Sequence, residues 1–161
     1  MKTTLTSNLR AFYPFLIAAA ALWAMPKNAR AQLYVTESTG PGVIGVVGEY
    51  DATTGAAINA SFITGLRNPF GLAVLGNTLF VANFSSGTVG KYDATTGAAI
   101  SPSFITRLNE PAGLAVLGTL FVANRNSGTI GEYDATTGAA INASFITGLS
   151  VPLGLAVKSA K

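Results

Sequence analysis

Short runs of alternating apolar and polar residues, separated by glycine, proline, asparagine and aspartate, follow one another along most of the chain. β-Branched and aromatic residues dominate these runs, which is typical of strands bounded by turns. No stretch beyond residue 31 has the 3.6-residue periodicity of a helix. The chain is therefore predicted to be all-β. In the central part the predicted strands are residues 71–74, 78–82, 88–92 and 99–106.

This four-strand pattern recurs in nearly identical copies. The sequence GEYDATTGAAINASFITGL spans residues 48–66, recurs unchanged at residues 131–149, and has a close copy at residues 90–108. The copies begin 42 and then 41 residues apart. A β-type repeat of about 40 residues is the period of one four-stranded propeller blade, so each repeat is predicted to form one blade.

With strands a to d running from the inside of a blade outward, the predicted strand order is bcd–abcd–abcd–a. The blades then comprise residues 33–66 plus 152–157, residues 69–107, and residues 111–149. The last strand is the missing first strand of the first blade. Propellers typically have about 4–8 blades, and three twisted sheets should not close comfortably around an axis.

Two arrangements would resolve this shortage of blades. In the first, two chains join head to tail, and each lends its last strand to the other's first blade, which gives a six-bladed homodimer. In the second, the chain is a shortened gene product with open edges, which would favour aggregation. The homodimer is the expectation adopted here.

The N-terminal segment has the pattern of a secretory signal peptide. Lys2 and Arg10 precede an apolar run at residues 11–25, and Ala29-Arg30-Ala31 forms a cleavage site. The alternative is an uncleaved membrane anchor, but this run is shorter than the ~20 residues of a spanning helix. A signal-peptide helix within residues 1–31 is therefore predicted, followed by a mature domain, residues 32–161, that is secreted or periplasmic. No stable membrane span is expected after cleavage.

Charge and composition narrow the function. The net charge of +3 comes from four basic residues in the first 31 positions; the remainder has 6 basic and 7 acidic residues. A domain with so little net charge has no basic surface that could bind phosphate groups. No nucleic-acid partner is therefore expected. The chain has no cysteine and no histidine, which removes disulfides, the commonest general base and a common metal ligand.

Several short motifs resemble NHL and YVTN-type β-propeller repeats. They are LFVAN at residues 79–83 and 120–124, LYVTE at residues 33–37, the YDATTG turns, and P-x-G-L-A-V at residues 69–74, 111–116 and 152–157. The resemblance covers residues 33–157 and implies a β-propeller. It leaves function open, because such propellers bind proteins, sugars or nucleic acids and some are enzymes. Lactonase-type propellers are also similar, which implies a divalent metal near the axis with Glu37, Asn83, Glu110 and Asn124 as counterparts.

Positions that differ between the copies cluster in the connections between strands b and c and between strands d and a, which open onto one face of a propeller. That face is the predicted binding surface, and neutral drift of exposed loops is the alternative. No catalytic residue and no metal ligand set is assigned. The candidate binding residues are Glu37, Arg67, Asn68, Phe70, Asn83, Phe84, Asn109, Glu110, Asn124 and Arg125.

Two sets of residues that recur at fixed repeat positions are given structural roles. Asp51, Asp93 and Asp134 begin the DATTG turns and are interpreted as turn caps rather than as a ring of calcium ligands, because the turns lack the oxygen ligands that calcium needs. The recurring Phe62, Phe104 and Phe145 are interpreted as packing between blades.

The sequence thus predicts an exported, non-catalytic β-propeller repeat module that binds an unidentified protein or carbohydrate and uses no cofactor. One alternative is a metal-dependent, lactonase-like hydrolase or lyase, which would need a divalent cation and a general base that the sequence does not reveal. The other is a truncated propeller fragment without a function of its own.

Overall fold

The structure, a computed structural model, describes residues 31–38 and 44–159. In these residues the strands form three antiparallel sheets in chain order. Sheet 1 contains β1 (Gln32–Ser38), β2 (Ile44–Asp51) and β3 (Ala57–Arg67). Sheet 2 contains β4 (Pro69–Leu75), β5 (Thr78–Asn83), β6 (Thr88–Asp93) and β7 (Ala99–Ile105). Sheet 3 contains β8 (Pro111–Leu117), β9 (Thr119–Asn124), β10 (Thr129–Asp134) and β11 (Ala140–Ile146).

The all-β prediction is confirmed, and the four strands predicted for the middle repeat coincide with β4 to β7 to within a few residues. The first predicted blade is not completed by the single chain. Sheet 1 has three strands, and residues 152–157 belong to no strand. Residues 1–30 of the predicted signal peptide lie outside the described residues. Among the residues that are described, there is no helix with the length and apolarity needed to cross a membrane.

The inner strands of neighbouring sheets approach each other too closely for a side chain. A Cβ atom added to Gly71 in β4 would lie 2.2 Å from the carbonyl oxygen of Ala112 in β8. A Cβ added to Gly113 in β8 would lie 2.1 Å from the carbonyl oxygen of Leu153. Only glycine fits such contacts. The second contact shows that Leu153 lies beside β8 in the way that Ala112 of β8 lies beside β4.

Apolar side chains fill the spaces between successive sheets. Between sheets 1 and 2, Val47 and Ile63 pack against Leu79 and Val81. The equivalent layer between sheets 2 and 3 is built from the same repeat positions, among them Val89, Ile105, Leu120 and Val122. Phe62 and Phe104 belong to these two layers, which confirms their interpretation as packing between blades.

The DATTG turns are capped by their aspartates, as predicted. The Asp93 carboxylate accepts hydrogen bonds from the backbone N–H groups of Thr95 at 2.9 Å and Thr96 at 2.8 Å. Asp134 does the same with Thr136 at 2.9 Å and Thr137 at 2.7 Å. The backbone N–H bond from the threonine three residues on is the main cause that lowers the pKa of each carboxyl group.

Because these two pKa values are lowered, the stability of the fold depends on pH in the acidic range. A carboxyl group whose pKa is lower in the folded chain stabilises the fold above its unfolded pKa of about 3.9, and that contribution disappears as the pH falls through the folded pKa. We therefore expect the urea midpoint to fall as the pH decreases below about 4. The double variant Asp93→Asn/Asp134→Asn keeps the amide oxygens as acceptors but does not titrate there, so its midpoint should vary less with pH. Equal pH dependence of the two proteins would contradict this account.

The middle repeat has an arginine where the other two have glycine. Arg107 has a φ of 61°, and the equivalent Gly65 and Gly148 have φ values of 74° and 76°. A left-handed backbone costs a residue with a Cβ about 1–2 kcal/mol, whereas glycine adopts it freely. Part of the gain from Arg107→Gly is offset by about 0.4–1 kcal/mol, because glycine makes the unfolded chain more flexible.

Arg107→Gly is thus expected to raise the free energy of unfolding by about 0.5 kcal/mol, measured by urea denaturation. Arg107→Ala is the control, because it removes the same charge and keeps the strained φ of 61°. If Arg107→Ala stabilises the chain as much as Arg107→Gly does, the gain does not come from the backbone.

Candidate functional site

The loops predicted to form the binding surface contact each other at one edge of sheets 2 and 3. The connection between the second and third strands of sheet 2 contacts the chain entering that sheet, because Phe84 N–H donates to the Asn68 carbonyl at 3.1 Å. Arg125 N–H donates to the Glu110 carbonyl at the same distance in sheet 3. We call this edge the top face. The DATTG turns lie at the opposite edge, where the Asn77 amide donates to Asp93 at 2.8 Å.

An unusual backbone conformation makes these top-face contacts possible. Asn68 and Glu110, which have φ values of 51° and 54°, both precede a buried proline. In each case the left-handed residue presents its carbonyl oxygen to the following loop. Non-glycine residues seldom adopt such values, although asparagine tolerates them better than most. In both sheets, the hydrogen bond to this left-handed residue joins the two candidate loops.

Phe70 is brought to the top face by a bulge in β4. Pro69 pairs with Asn83 and Leu72 pairs with Val81, so three steps along β4 match two steps along β5. The extra residue in such a bulge leaves the regular ladder, and its side chain is redirected. Phe70 lies in this interruption and is 46% exposed.

Four of the predicted residues are joined by a chain of contacts on the top face. The rings of Phe70 and Phe84 are tilted by 32° with centroids 5.0 Å apart. The Arg125 guanidinium of sheet 3 lies 5.8 Å from the Phe84 ring centre. Arg125 also donates to the Glu110 carboxylate at 2.8 Å. We call Phe70, Phe84, Glu110 and Arg125 the Phe–Arg patch.

The salt bridge in the Phe–Arg patch holds its arginine in place more than it stabilises the fold. Both Arg125 and Glu110 are partly exposed, and exposed ion pairs contribute at most about 1 kcal/mol. The interaction of Arg125 with the face of Phe84 adds a second restraint on the guanidinium. A planar cation fixed beside an exposed aromatic ring can receive a carboxylate and an apolar group at the same time.

A shallow depression continues the surface beyond Arg125. It has a volume of about 390 Å³ and is lined by Arg125, Asn126, Ser127, Gly128, Leu149, Ser150 and Val151. Asn126 is fixed by its side-chain amide, which donates to the Asn109 side-chain oxygen at 3.0 Å. The Phe–Arg patch and this depression share Arg125, so a ligand on the patch would have room to extend across sheet 3.

Two of the candidate binding residues are inside the protein. Asn83 and Asn124 are both buried, each next to the hydroxyl group of the tyrosine on the following strand, Tyr92 or Tyr133. Burial raises the pKa of both tyrosines, and the asparagine hydrogen bond acts in the opposite direction. Glu37 occupies the same repeat position in sheet 1 and accepts a hydrogen bond from Tyr50 at 2.9 Å. These three residues mainly anchor tyrosines.

The two buried asparagines differ in one respect. The Asn124 side-chain oxygen accepts a hydrogen bond from Asn109 N–H at 3.4 Å, whereas the Asn83 side-chain oxygen is buried without a hydrogen-bond partner. The residue equivalent to Asn109 is Arg67, which is the last residue of β3 and pairs with Ile44. The longer β3 therefore places the Arg67 backbone in a sheet. The Arg67 side chain is exposed, outside the Phe–Arg patch.

Three of the four residues proposed as counterparts of a metal site are engaged in other contacts. Glu110 is paired with Arg125, Glu37 accepts from Tyr50, and Asn124 is hydrogen-bonded to backbone. Calcium takes six to eight oxygen ligands. Within residues 31–38 and 44–159, no three His, Cys, Asp or Glu side chains are grouped closely enough to hold a metal ion together.

Comparison with known proteins identifies the fold. No protein-family model and no curated protein sequence matches the chain. Among solved structures, it is similar to regucalcin, a calcium-binding protein from Agrobacterium tumefaciens, with 16% identity and a TM-score of 0.52 over 68% of this chain. The fold is that of a β-propeller. Each of the three sheets is consistent with a blade of this fold.

The extent of these similarities limits what they show. The chain spans 40% of the length of the regucalcin chain. It is also similar to the computationally designed Ika4 protein, with 17% identity and a TM-score of 0.51, over 77% of this chain and 78% of that one. At these identities the similarity concerns the β-propeller fold alone.

Proposed function

We propose that this chain is an exported, non-catalytic β-propeller module that binds a protein segment on its top face. The observation that carries the proposal is the Phe–Arg patch, in which the exposed Phe70 lies against Phe84 and Phe84 also contacts Arg125. The motifs of the repeats support an NHL or YVTN-type propeller, and the N-terminal pattern supports export.

The chemistry of the patch favours a protein as the partner. Aromatic residues and arginine are enriched in the centres of protein interfaces, where a few such residues supply most of the binding energy. The Phe–Arg patch is also built from residues that the equivalent positions of the other repeats do not share. The positions equivalent to Phe70 are Ala112 and Leu153, and the position equivalent to Phe84 in the next repeat is Arg125 itself. Most of the other repeat positions are shared between the copies, so the repeat carries an individual surface here.

The proposal is tested by selecting peptides from a phage-displayed random library on the purified chain. Selected peptides should bind about 30-fold more weakly to Phe70→Ala and Arg125→Ala, because central interface residues contribute about 2 kcal/mol each. Ile100→Ala is the matched control, since it removes an exposed apolar side chain from the outer strand β7. Peptides that bind all variants equally would place the binding surface elsewhere. Binding of an arrayed glycan that depends on the same two residues, with no peptide selected, would make the partner a carbohydrate.

The alternative is a metal-dependent, lactonase-like hydrolase or lyase, which is favoured by the fold similarity to a calcium-binding protein. Among the buried side-chain nitrogen and oxygen atoms of the described residues, the Asn83 oxygen is the one without a hydrogen-bond partner. If calcium raises the melting temperature of the chain and Asn83→Ala abolishes that rise, this alternative replaces the binding module. On the proposed function, calcium leaves the melting temperature unchanged.

A further inference from the structure

Sheet 1 exposes an apolar face that is buried in the other two sheets. Leu33 in β1 is 50% exposed, whereas the equivalent Leu79 and Leu120 are fully buried. Val35 in β1 is likewise exposed, while its equivalent Val81 is fully buried. In sheets 2 and 3 these positions are covered by the preceding sheet. We call the surface around Leu33 and Val35 the front face.

Sheet 3 exposes the opposite kind of face. Ile146 is 44% exposed, whereas the equivalent Ile63 and Ile105 are 4% exposed. Phe145 is 48% exposed, against 9% for the equivalent Phe62. In sheets 1 and 2 these positions are covered by the following sheet. We call the surface around Phe145 and Ile146 the back face.

The two uncovered faces match each other, because the chain already contains two interfaces built from the same residues. Inside the chain, Ile63 packs in one layer with Leu79, and Ile105 packs in the next with Leu120. The pair that would continue this series is Ile146 with Leu33. The surface with the side chains to cover the back face is therefore the front face of a second copy.

Sheet 1 also lacks an inner strand, and the chain contains an unpaired segment with the matching sequence. β1 lacks the inner strand that β5 and β9 each have, which are β4 and β8. Residues 152–157 have the same sequence pattern as those inner strands but belong to no sheet of the described chain, and Leu153 lies beside β8. An unpaired strand edge is a template for pairing with another chain.

We propose that two copies of this chain close head to tail into a six-bladed ring, in which the front face of each copy packs on the back face of the other. Residues 152–157 of each copy then pair with β1 of its partner and complete that blade. Such an interface joins two different surfaces of the chain and is saturated only when the ring closes. Six blades lie within the range of about 4–8 seen for closed propellers.

The strand pairs within the chain define the register of the proposed pair between residues 152–157 and β1 of the second copy. Val74 pairs with Leu79 in sheet 2, and Val116 pairs with Leu120 in sheet 3. The equivalent pair across the two copies is Val157 with Leu33. Directly opposite residues of antiparallel strands have Cβ atoms about 4.5–5.5 Å apart, which is close to the separation that a disulfide needs.

The first test is the solution mass of the purified chain, measured by light scattering and sedimentation. The expected mass is that of two chains, and Leu33→Arg or Ile146→Arg should each reduce it to that of one chain while the far-ultraviolet circular dichroism spectrum is unchanged. A wild-type mass of one chain, a mass that grows without limit with concentration, or a dimer that survives both substitutions would overturn the ring.

The second test fixes the register, and it is sharp because the chain has no cysteine of its own. Val157→Cys/Leu33→Cys should oxidise to a covalent dimer on a non-reducing gel. The control Val157→Cys/Val35→Cys is two residues out of register and should form much less of it. Equal cross-linking of the two variants, or a disulfide within one chain only, would contradict the proposed pairing.

Discussion

Replacing Gly71 with alanine is expected to lower the free energy of unfolding by about 3 kcal/mol, near the upper end for overpacked sites. The added Cβ would lie 2.2 Å from the Ala112 carbonyl oxygen and 2.9 Å from the Leu114 nitrogen. Both are backbone atoms of the neighbouring inner strand, so no side-chain rotation relieves the contact. β4 and β8 would have to separate, which would loosen the layer between sheets 2 and 3. Urea denaturation of the variant measures the loss.

The chain contains its own control for this substitution. Gly154 occupies the same repeat position, but a Cβ added there has no atom within 4 Å. Gly154→Ala should therefore leave the stability nearly unchanged when both variants are compared in a chain carrying Leu33→Arg, so that association makes no contribution. Equal losses for Gly71→Ala and Gly154→Ala would show that the loss at Gly71 does not come from the contact between strands.

Leu79→Ala should destabilise the fold by about 3 kcal/mol, the middle of the range for fully buried leucines. Leu79 is completely buried between sheets 1 and 2, where it packs with Val47 and Ile63. Removing its side chain leaves a cavity that the two sheets cannot easily close, because their strands are held by the backbone ladders. The change is measured as a shift of the urea midpoint at constant slope.

The variant Leu33→Ala shows whether Leu33 is buried within a single chain or between two copies. Leu33 has the same repeat position as Leu79 but is half exposed, so its loss should cost less than about 1 kcal/mol in dilute protein. If the ring forms, the cost should increase with protein concentration, because the dimer stabilises the folded state by mass action. A large cost that does not depend on concentration would mean that Leu33 is buried within the single chain.

Most of the fold could be predicted from the sequence because the chain repeats itself. Because the three copies agree in phase, the positions of the strands could be predicted. The aspartates of the DATTG turns cap those turns as expected. The sharing of one face by the two sets of variable loops also followed from blade geometry, and the bond from Phe84 to Asn68 confirms it. These features depend on local sequence or on the order of strands, both of which periodicity reveals.

The contacts of the candidate site were harder to predict because they join residues of different repeats. Phe84 and Arg125 have the same repeat position in neighbouring blades, and this correspondence was the available signal that they are adjacent. The anchoring of tyrosines by Asn83 and Asn124 had a weaker signal. Each tyrosine follows a glycine by two residues, and a Cβ on that glycine would collide with the ring, at 2.6 Å in both Gly90 and Gly131. The ring therefore lies along its own strand and reaches the asparagine.

The central claim is that this β-propeller functions through the face on which its repeats differ. Hydrogen–deuterium exchange of the chain with and without a selected peptide tests it most directly. We expect slower exchange on binding at residues 68–70, 84–86, 109–110 and 125–127, with no change in the turns at residues 94–97 and 135–138. Protection confined to those turns, or to the outer strands β7 and β11, would contradict it.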